Sequence, residues 1–403
     1  MEAIHFQGVI RMEASKNYNI ITFVLFISGI LIMFNLYTAI PITEHLANDF
    51  GISQSVAAMN GVVFSVTYSI SCLFYGTISE KFGRIRVILL SLIGLIIVCF
   101  LIGFVTSFNT LLILRGLQGI FAAAFSPIAI TYTTETYPLK KRLTAVSFIS
   151  TSFMLSGILG QNFSEILISQ FDWHIIFFIL SSLYICLAII IFRNVPESPV
   201  KNSDVQILKY FSNFKDFAKN RKVLICYFIS LTLLTTFISM YAVINEFILS
   251  DSIHGDNHTA FLVKLFGVFG MISSLMSGRI SSRYGVKFVL NIALGVCGVT
   301  LILMPFAHNI LLITFLSICF VAGIAFAVPL VIAKVNMVVY GNRGFFLSVN
   351  TFILFLGTAI APILSIYLTS LNNFTSMFVI ISSIAFLAFL ASLFLPSDQQ
   401  TTY

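Results

Sequence analysis

Charged and amide side chains are scarce in this sequence, and the few that interrupt long apolar runs mark where chemistry is available. Arg115 stands about six residues inside one such run, and Gln118, Gly119 and Ala122 share its helical face. A charge at that depth in lipid costs about 2.5–3.5 kcal/mol, so Arg115 must face a partner or a cavity. There it would bind an anionic group or tune the acidity of a neighbouring carboxyl. Glu165, four residues beyond Gln161 and on the same face, and Glu246 are carboxylates at the ends of apolar runs. Either could take up and release a proton if its surroundings changed; Glu44 and Glu135 stand behind them. Lys264, also within a run, could pair with Glu246, and Tyr241 is placed with these residues in one cavity. The chemistry on offer is ion pairing and proton exchange. No nucleophile–His–acid set and no GxxxxGK[ST] phosphate loop is present, so neither enzymatic catalysis nor direct ATP hydrolysis is expected. His254, Asp256 and His258 form an HxDxH in a polar turn, which reads as solvent-facing rather than as a metal site, and no cofactor is expected.

The elements that must position these residues are set by composition. The chain is 58% hydrophobic and 9% charged, with 43 phenylalanines, and its mean hydropathy is +1.02. A soluble domain carries about 25% charged residues, so most of this surface must meet lipid. A helical span needs about 20 mostly apolar residues. Twelve such runs are read at roughly 19–40, 56–78, 87–107, 110–132, 144–168, 174–193, 223–248, 259–280, 288–307, 309–333, 345–369 and 374–395. The expected fold is therefore an all-α membrane protein with twelve transmembrane helices in two six-helix bundles. Its divisions are a cytoplasmic tail at 1–18, a first bundle at 19–193, a cytoplasmic linker at 194–222, a second bundle at 223–395 and a tail at 396–403. The linker carries Lys201, Lys209, Lys215, Lys219, Arg221 and Lys222, and its portion 211–219 alternates apolar and charged residues like a surface-lying amphipathic helix. The six cysteines fall inside runs and read as small buried hydrophobes. No cleavable signal pattern precedes the first span, and Met12 offers an alternative start.

Orientation follows from Lys and Arg. With the N-terminus inside, 20 of the 22 basic residues fall at the cytoplasmic border, among them Arg11, Lys16, Lys81, Arg84, Arg86, Lys140, Lys141, Arg142, Arg193, Arg279, Arg283, Lys287, Lys334 and Arg343. Only Arg115 and Lys264 lie elsewhere, whereas the outer loops carry Glu44, Asp49, Asp172, Asp251 and Asp256. The net charge of +7 is thus a topogenic signal and a contact with anionic lipid, not a nucleic-acid patch.

The halves also repeat. Residues 76–86 (GTISEKFGRIR) and 278–287 (GRISSRYGVK) open on glycines 202 positions apart. The pairs Pro127/Pro329, Glu44/Glu246 and Gly160/Pro362 share that offset, which supports two parallel repeats about an axis along the membrane normal.

These residues carry a resemblance to the major facilitator superfamily over essentially the whole chain. Gly76, Glu80, Gly83, Arg84 and Arg86 match its loop between spans 2 and 3, where Asp is commoner than this chain's Glu80. Residues 111–124 (LLILRGLQGIFAAA), with Arg115, Gln118 and Gly119, resemble its fourth-span motif. Within the family the chain is most like the twelve-span drug:proton antiporters. The stretch 37–41 beginning at Tyr37, the Trp173-His174 pair and Val195-Pro196-Glu197 also fit that group. Its fifth-span motif is kept only as Gly157 and Gly160 of SGILGQ, residues 156–161. Many of these antiporters have an acid within span 1, where this chain has Asn35. The resemblance implies a latch of Gly76, Glu80, Lys81, Gly83, Arg84, Arg86 and Glu135, with Glu80 facing the helix that starts near Gly344. It implies a substrate and proton cavity of Asn35, Tyr37, Arg115, Gln118, Gln161, Glu165, Tyr241, Glu246 and Lys264. Pro127, Pro329 and Pro362, with Gly267, Gly270 and Gly357, would let helices bend around it. The expected function is secondary-active, proton-coupled export of small amphipathic molecules by a monomer in the cell membrane. A dedicated exporter of a carboxylated metabolite is the alternative. Expected partners are a small-molecule substrate, protons and membrane lipids.

Overall fold

The computed structural model describes residues 17–199, 220–251, 253–339 and 343–398. Arg11, Met12 and Lys16, and the linker residues Lys201, Lys209, Lys215 and Lys219 with the expected amphipathic portion 211–219, lie outside the described residues, as do 399–403 of the tail. Among the described residues twelve helices are long and apolar enough to cross a membrane. In order they are span 1, Tyr18–Phe50; span 2, Gln54–Phe82; span 3, Arg84–Ile102; span 4, Phe108–Thr136; span 5, Leu139–Ile168; and span 6, His174–Asn194. Then come span 7, Arg221–Leu249; span 8, His258–Tyr284; span 9, Val286–Phe306; span 10, Ile310–Val338; span 11, Gly344–Thr369; and span 12, Phe374–Leu393. The protein is an all-helical membrane protein, as composition requires.

Lipid offers the backbone no partners, so each span must satisfy its own N–H and C=O groups and can leave orphans only at its ends. Polar side chains stand at those ends. Asn309 accepts from the Leu312 N–H at 2.7 Å, Asp256 from Thr259 at 2.8 Å and Asn373 from Ser376 at 3.0 Å. Large apolar side chains such as Phe23, Leu90, Phe192, Leu311 and Ile363 cover the outer face of the bundle.

Several helices outrun the lengths expected for them. Span 1, expected at 19–40, continues to Phe50 as the segments Tyr18–Tyr37 and Ala39–Phe50 joined at Thr38. Pro41 falls in the first turn of the second segment, where a missing N–H breaks no helical bond. Glu44 and Asp49 are therefore helical rather than in a loop. Pro127 likewise opens a segment, Phe125–Thr136, after a break at Ala123–Ala124. Pro329 and Pro362 do sit inside continuous helices.

Because the chain alternates direction, the junctions rich in Lys and Arg gather at one end of the bundle, hereafter the basic end, and Asp49, Asp172 and Asp256 lie at the other. At that acidic end Trp173 is buried and donates to Asp49 at 2.6 Å. Spans 1–6 pack among themselves, as do spans 7–12, and spans 2, 4 and 5 meet spans 8, 10 and 11 along a seam. The repeat is visible in the backbone. Gly83 (φ 105°) and Gly285 (φ 91°) both take a left-handed conformation between two helices, which a side chain would strain.

Candidate functional site

At the basic end the seam is closed. Ser147 of span 5 meets Ser277 of span 8, Oγ to Oγ, at 2.6 Å, and one turn deeper Thr151 bonds Ser274 at 2.5 Å. Further in, Phe355 of span 11 meets Tyr68 of span 2 edge-on at 4.8 Å between centroids and Phe153 of span 5 at 6.0 Å. Tyr68 is also hydrogen-bonded to Ser126. Span 2 approaches span 11 so closely that a Cβ at Gly76 would overlap the Ser348 hydroxyl and lie 2.7 Å from the Gly344 carbonyl oxygen. Glycine is required there by the close approach.

The charged hairpin at 76–86 lies over this contact. Arg84 is 1% exposed. Its guanidinium donates to both oxygens of Glu135, at 2.7 and 3.2 Å, to the Gly76 carbonyl at 2.6 Å and to Ser79 Oγ at 2.7 Å. Glu80 is 3.9 Å from Arg84 Nη2, and its carboxylate lies beside Gly344 at the N-terminal end of span 11. A carboxylate there is favoured by the helix dipole by about 0.3–1 kcal/mol, more when partly buried. Glu80 therefore ties span 2 to span 11 across the seam, and Arg84 ties Glu80 to Glu135 of span 4. Lys81 and Arg86 flank this cluster, and Lys81 stands 5.7 Å from the centre of the Phe82 ring.

Sequence reasoning passed over two acids and one cation that complete this end. Glu197, just past span 6, accepts from the backbone N–H groups of Ile85 and Arg86 at 3.0 and 3.1 Å, capping span 3. Asp398, just past span 12, accepts from Lys287 N at 3.3 Å in the same way. Lys334, fully buried, donates to Asp398 at 2.6 Å and to the Pro396 carbonyl at 2.9 Å. Its counterpart 202 positions earlier, Tyr132, donates to the Pro196 carbonyl at 2.8 Å. The signal was available: Val195-Pro196-Glu197 and Leu395-Pro396-Ser397-Asp398 each place an acid shortly after a proline, about 200 positions apart.

Toward the acidic end spans 5 and 8 part. Thr151 and Gln161 are ten residues apart on span 5, about 15 Å along a helix. Within that distance, from Gly157 onward, two adjoining cavities open between the two sets of spans. One, of about 390 Å³, is lined by Tyr37, Gln161, Phe237, Tyr241, Glu246 and Lys264 among others. The second, of about 320 Å³, is lined by Ile158, Gln161, Asn162, Glu165, Asn245, Phe261 and Lys264. The structure thus brings Tyr37, Gln161, Glu165, Tyr241, Glu246 and Lys264 to one place. The Tyr241 hydroxyl is buried against Gly267 and has no hydrogen-bond partner among the described residues.

Three residues expected in the cavity are not there. Arg115, Asn35 and Gln118 are all fully buried among spans 1, 2, 3, 4 and 6. Arg115 donates to the Asn35 carbonyl at 2.9 Å, to the Asn60 carbonyl at 3.3 Å and to Gln118 Oε1, and lies over the Phe64 ring at 4.7 Å. Gln118 passes the network to Asn35 Oδ1 at 2.8 Å, and Asn35 donates to Tyr184 at 2.6 Å. The partner that the cost of burying Arg115 demands is this set of carbonyls and amides, which takes three of its five N–H donors and lies apart from the lining of both cavities. The expected pair of Lys264 with Glu246 is also not formed: among the described residues no ion pair within 4.0 Å joins them. Glu165, on span 5, lines the same cavity as Lys264 without an ion pair to it within 4.0 Å among the described residues.

The described residues contain no cluster of three or more His, Cys, Asp or Glu side chains suited to a metal ion, and Asp256 of the HxDxH serves as a helix cap. All six cysteines are free.

Comparison with known proteins agrees with this architecture. The family model described as Major Facilitator Superfamily matches residues 25–248 and 223–402. The uncharacterized MFS-type transporter YybF of Bacillus subtilis is 24% identical over 284 residues, covering 69% of this chain and 70% of that protein. Multidrug resistance protein MdtG of Proteus mirabilis is 29% identical over 267 residues, covering 64% and 65%. Inner membrane transport protein YnfM of Escherichia coli is 23% identical over 278 residues, covering 68% and 66%. With twelve spans, a repeated basic hairpin and a cavity on the seam between its two sets of six, this chain belongs to the Major Facilitator Superfamily of transporters.

Proposed function

We propose that this chain is a proton-coupled, secondary-active exporter of small amphipathic molecules that works by alternating access. The single observation that carries this reading is the asymmetry of the seam. Spans 5 and 8 touch at Ser147–Ser277 and Thr151–Ser274, yet enclose cavities one to two turns further along. A seam closed at one end and hollow at the other is what a protein needs that exposes a site to one side of the membrane at a time.

The Lys and Arg bias orients it: the basic end, with both termini, is cytoplasmic. In this conformation the cavities then face outward. Residues 19–193 and 223–395 act as two rigid bundles that rock about the seam. The hairpin at 76–86 is the latch that holds the inner side shut, and its bonds must break for the inner side to open. Glu165 and Glu246 are the carboxylates in contact with the cavity, so they are the groups whose protonation couples to access. The walls Ile158, Phe237, Ile238 and Phe261 suit an apolar body. The likeness to MdtG, named a multidrug resistance protein, supports export.

The test is transport in inverted vesicles with an imposed pH gradient, supplied with lipophilic cations and with amphipathic carboxylates. Gradient-driven uptake that ends when the gradient is collapsed is the expected result. Uptake indifferent to the gradient removes proton coupling, and coupling that survives both Glu165→Gln and Glu246→Gln removes those carboxylates from the role.

A further inference from the structure

Lys264 is the single cation lining either cavity, and it makes no ion pair within 4.0 Å among the described residues. It lies six residues into span 8, about 9 Å from the helix start, where an uncompensated ammonium is costly. The amides around it divide by their bonding. Gln161 and Asn162 donate to the backbone carbonyls of Gly157 and Ile158, both at 2.8 Å. A carbonyl only accepts, so each of these two amides spends one of its two N–H donors on its own helix. Asn245, on span 7, makes no hydrogen bond among the described residues and keeps its donors. The site therefore combines one ammonium with an amide, Asn245, whose donors are both unspent, against the apolar walls of Ile158 and Phe261. The carboxylates of Glu165 and Glu246 lie nearer the mouth, on exposed residues.

We infer that the cavity selects amphipathic monocarboxylates: the substrate's carboxylate bonds Lys264 Nζ and the Asn245 amide, and its apolar body lies on Ile158 and Phe261. Glu165 and Glu246 then repel a second anionic group, so a dicarboxylate is disfavoured. This rests on the transport reading above and gives its substrate class. A lipophilic cation is the opposite outcome, since Lys264 would repel it.

Binding tests the inference without needing transport. The full chain, purified in lipid nanodiscs, is titrated by fluorescence with dansylglycine, with its neutral methyl ester and with a dansyl probe bearing a trimethylammonium group. A charge-assisted hydrogen bond in a partly desolvated site makes dansylglycine the tightest ligand, by about tenfold or more over the ester. Lys264→Gln brings dansylglycine down to the affinity of the ester while the ester's own affinity is kept, and Lys264→Arg preserves the preference. Equal or tighter binding of the ester or the cation by the unaltered protein overturns the inference, and so does a preference that survives Lys264→Gln. If Lys264→Gln no longer binds the ester, Asn245→Leu decides: a severalfold loss specific to dansylglycine supports the site, and an unchanged preference overturns it. Dansylglycine that binds through Lys264 but is not moved by a pH gradient counts against proton-coupled export and leaves the site standing.

Discussion

Arg84 and Glu135 are joined by two hydrogen bonds, Nη2 to Oε1 at 2.7 Å and Nε to Oε2 at 3.2 Å, although Arg84 is almost wholly buried. The same guanidinium holds the Gly76 carbonyl and Ser79. Removing one partner of a buried pair leaves the other charge uncompensated and costs about 3–5 kcal/mol. Arg84→Ala should lower the thermal melting point markedly and abolish transport. Arg84→Lys keeps the charge but not the planar fork, so it should fall between the two. A melting curve and a transport rate for Arg84→Ala that match the unaltered protein would remove the latch.

Gly76 sets how closely spans 2 and 11 approach. Gly76→Val puts methyl groups where Ser348 and the Gly344 carbonyl now lie. The substitution should favour the conformer open at the basic end, because that contact exists only when the seam is closed there. A cysteine placed at Ser277, buried against Ser147, reports the change. Its labelling by a soluble maleimide should speed up about tenfold in the Gly76→Val background. Labelling that stays slow would mean the seam absorbs the side chain by local repacking instead.

Lys334 and Asp398 form a buried pair that the first half of the chain replaces with the neutral contact of Tyr132 to Pro196. Lys334→Ala removes the buried partner of Asp398, which is 29% exposed and keeps its bond from Lys287 N, so the loss of stability should be modest. Asp398→Asn alone strands Lys334 and should be comparably harmful. The double variant Lys334→Tyr with Asp398→Asn takes the neutral tyrosine contact of the first half, though not its acid Glu197, and should recover most of the loss. A double variant no better than either single change would show that the ion pair itself is required there.

What was legible in the sequence follows from which forces act over short stretches. The twelve spans were readable because lipid demands long apolar runs, and the repeat because a fixed offset links Gly76 to Gly278 and Pro127 to Pro329. Glu165, Gln161 and Lys264 were expected in the cavity from their position in the spans together with the family resemblance. Arg115 was read correctly as needing a partner, but its helical face cannot say whether that partner is a substrate or the Asn35 and Asn60 carbonyls of neighbouring spans. Glu197 and Asp398 were missed as caps because the N–H groups they satisfy lie more than 100 positions away. A cap contributed from another helix has no local spacing to betray it.

Arg115 and Lys264 should therefore respond to substitution in opposite ways. Arg115 is bound into a network with Asn35, Gln118 and Tyr184 that touches no cavity-lining charge. Arg115→Ala leaves buried acceptors of Asn35, Asn60 and Gln118 without their donor, at about 1–3 kcal/mol each, and should reduce the amount of folded protein, leaving the substrate preference of what remains unaltered. Lys264→Gln should melt near the unaltered protein while its ligand preference changes. Arg115→Ala protein of normal stability with altered selectivity would put Arg115 back in the site.

Glu165 and Lys264 face each other across the cavity, on spans 5 and 8, and no bond joins them while the seam is closed at the basic end. Rocking the two sets of spans the other way brings the acidic ends of spans 5 and 8 together, as Thr151 and Ser274 are now. The carboxylate and the ammonium then meet and seal the outer side, which the loss of water around them strengthens. Paired cysteines, Glu165→Cys with Lys264→Cys, should crosslink poorly in the unaltered background and several times faster when Gly76→Val drives the basic end open. Reversing both charges, Glu165→Lys with Lys264→Glu, should restore much of the transport lost in either single reversal. Crosslinking that ignores Gly76→Val would show that the two ends of the seam do not move as one lever.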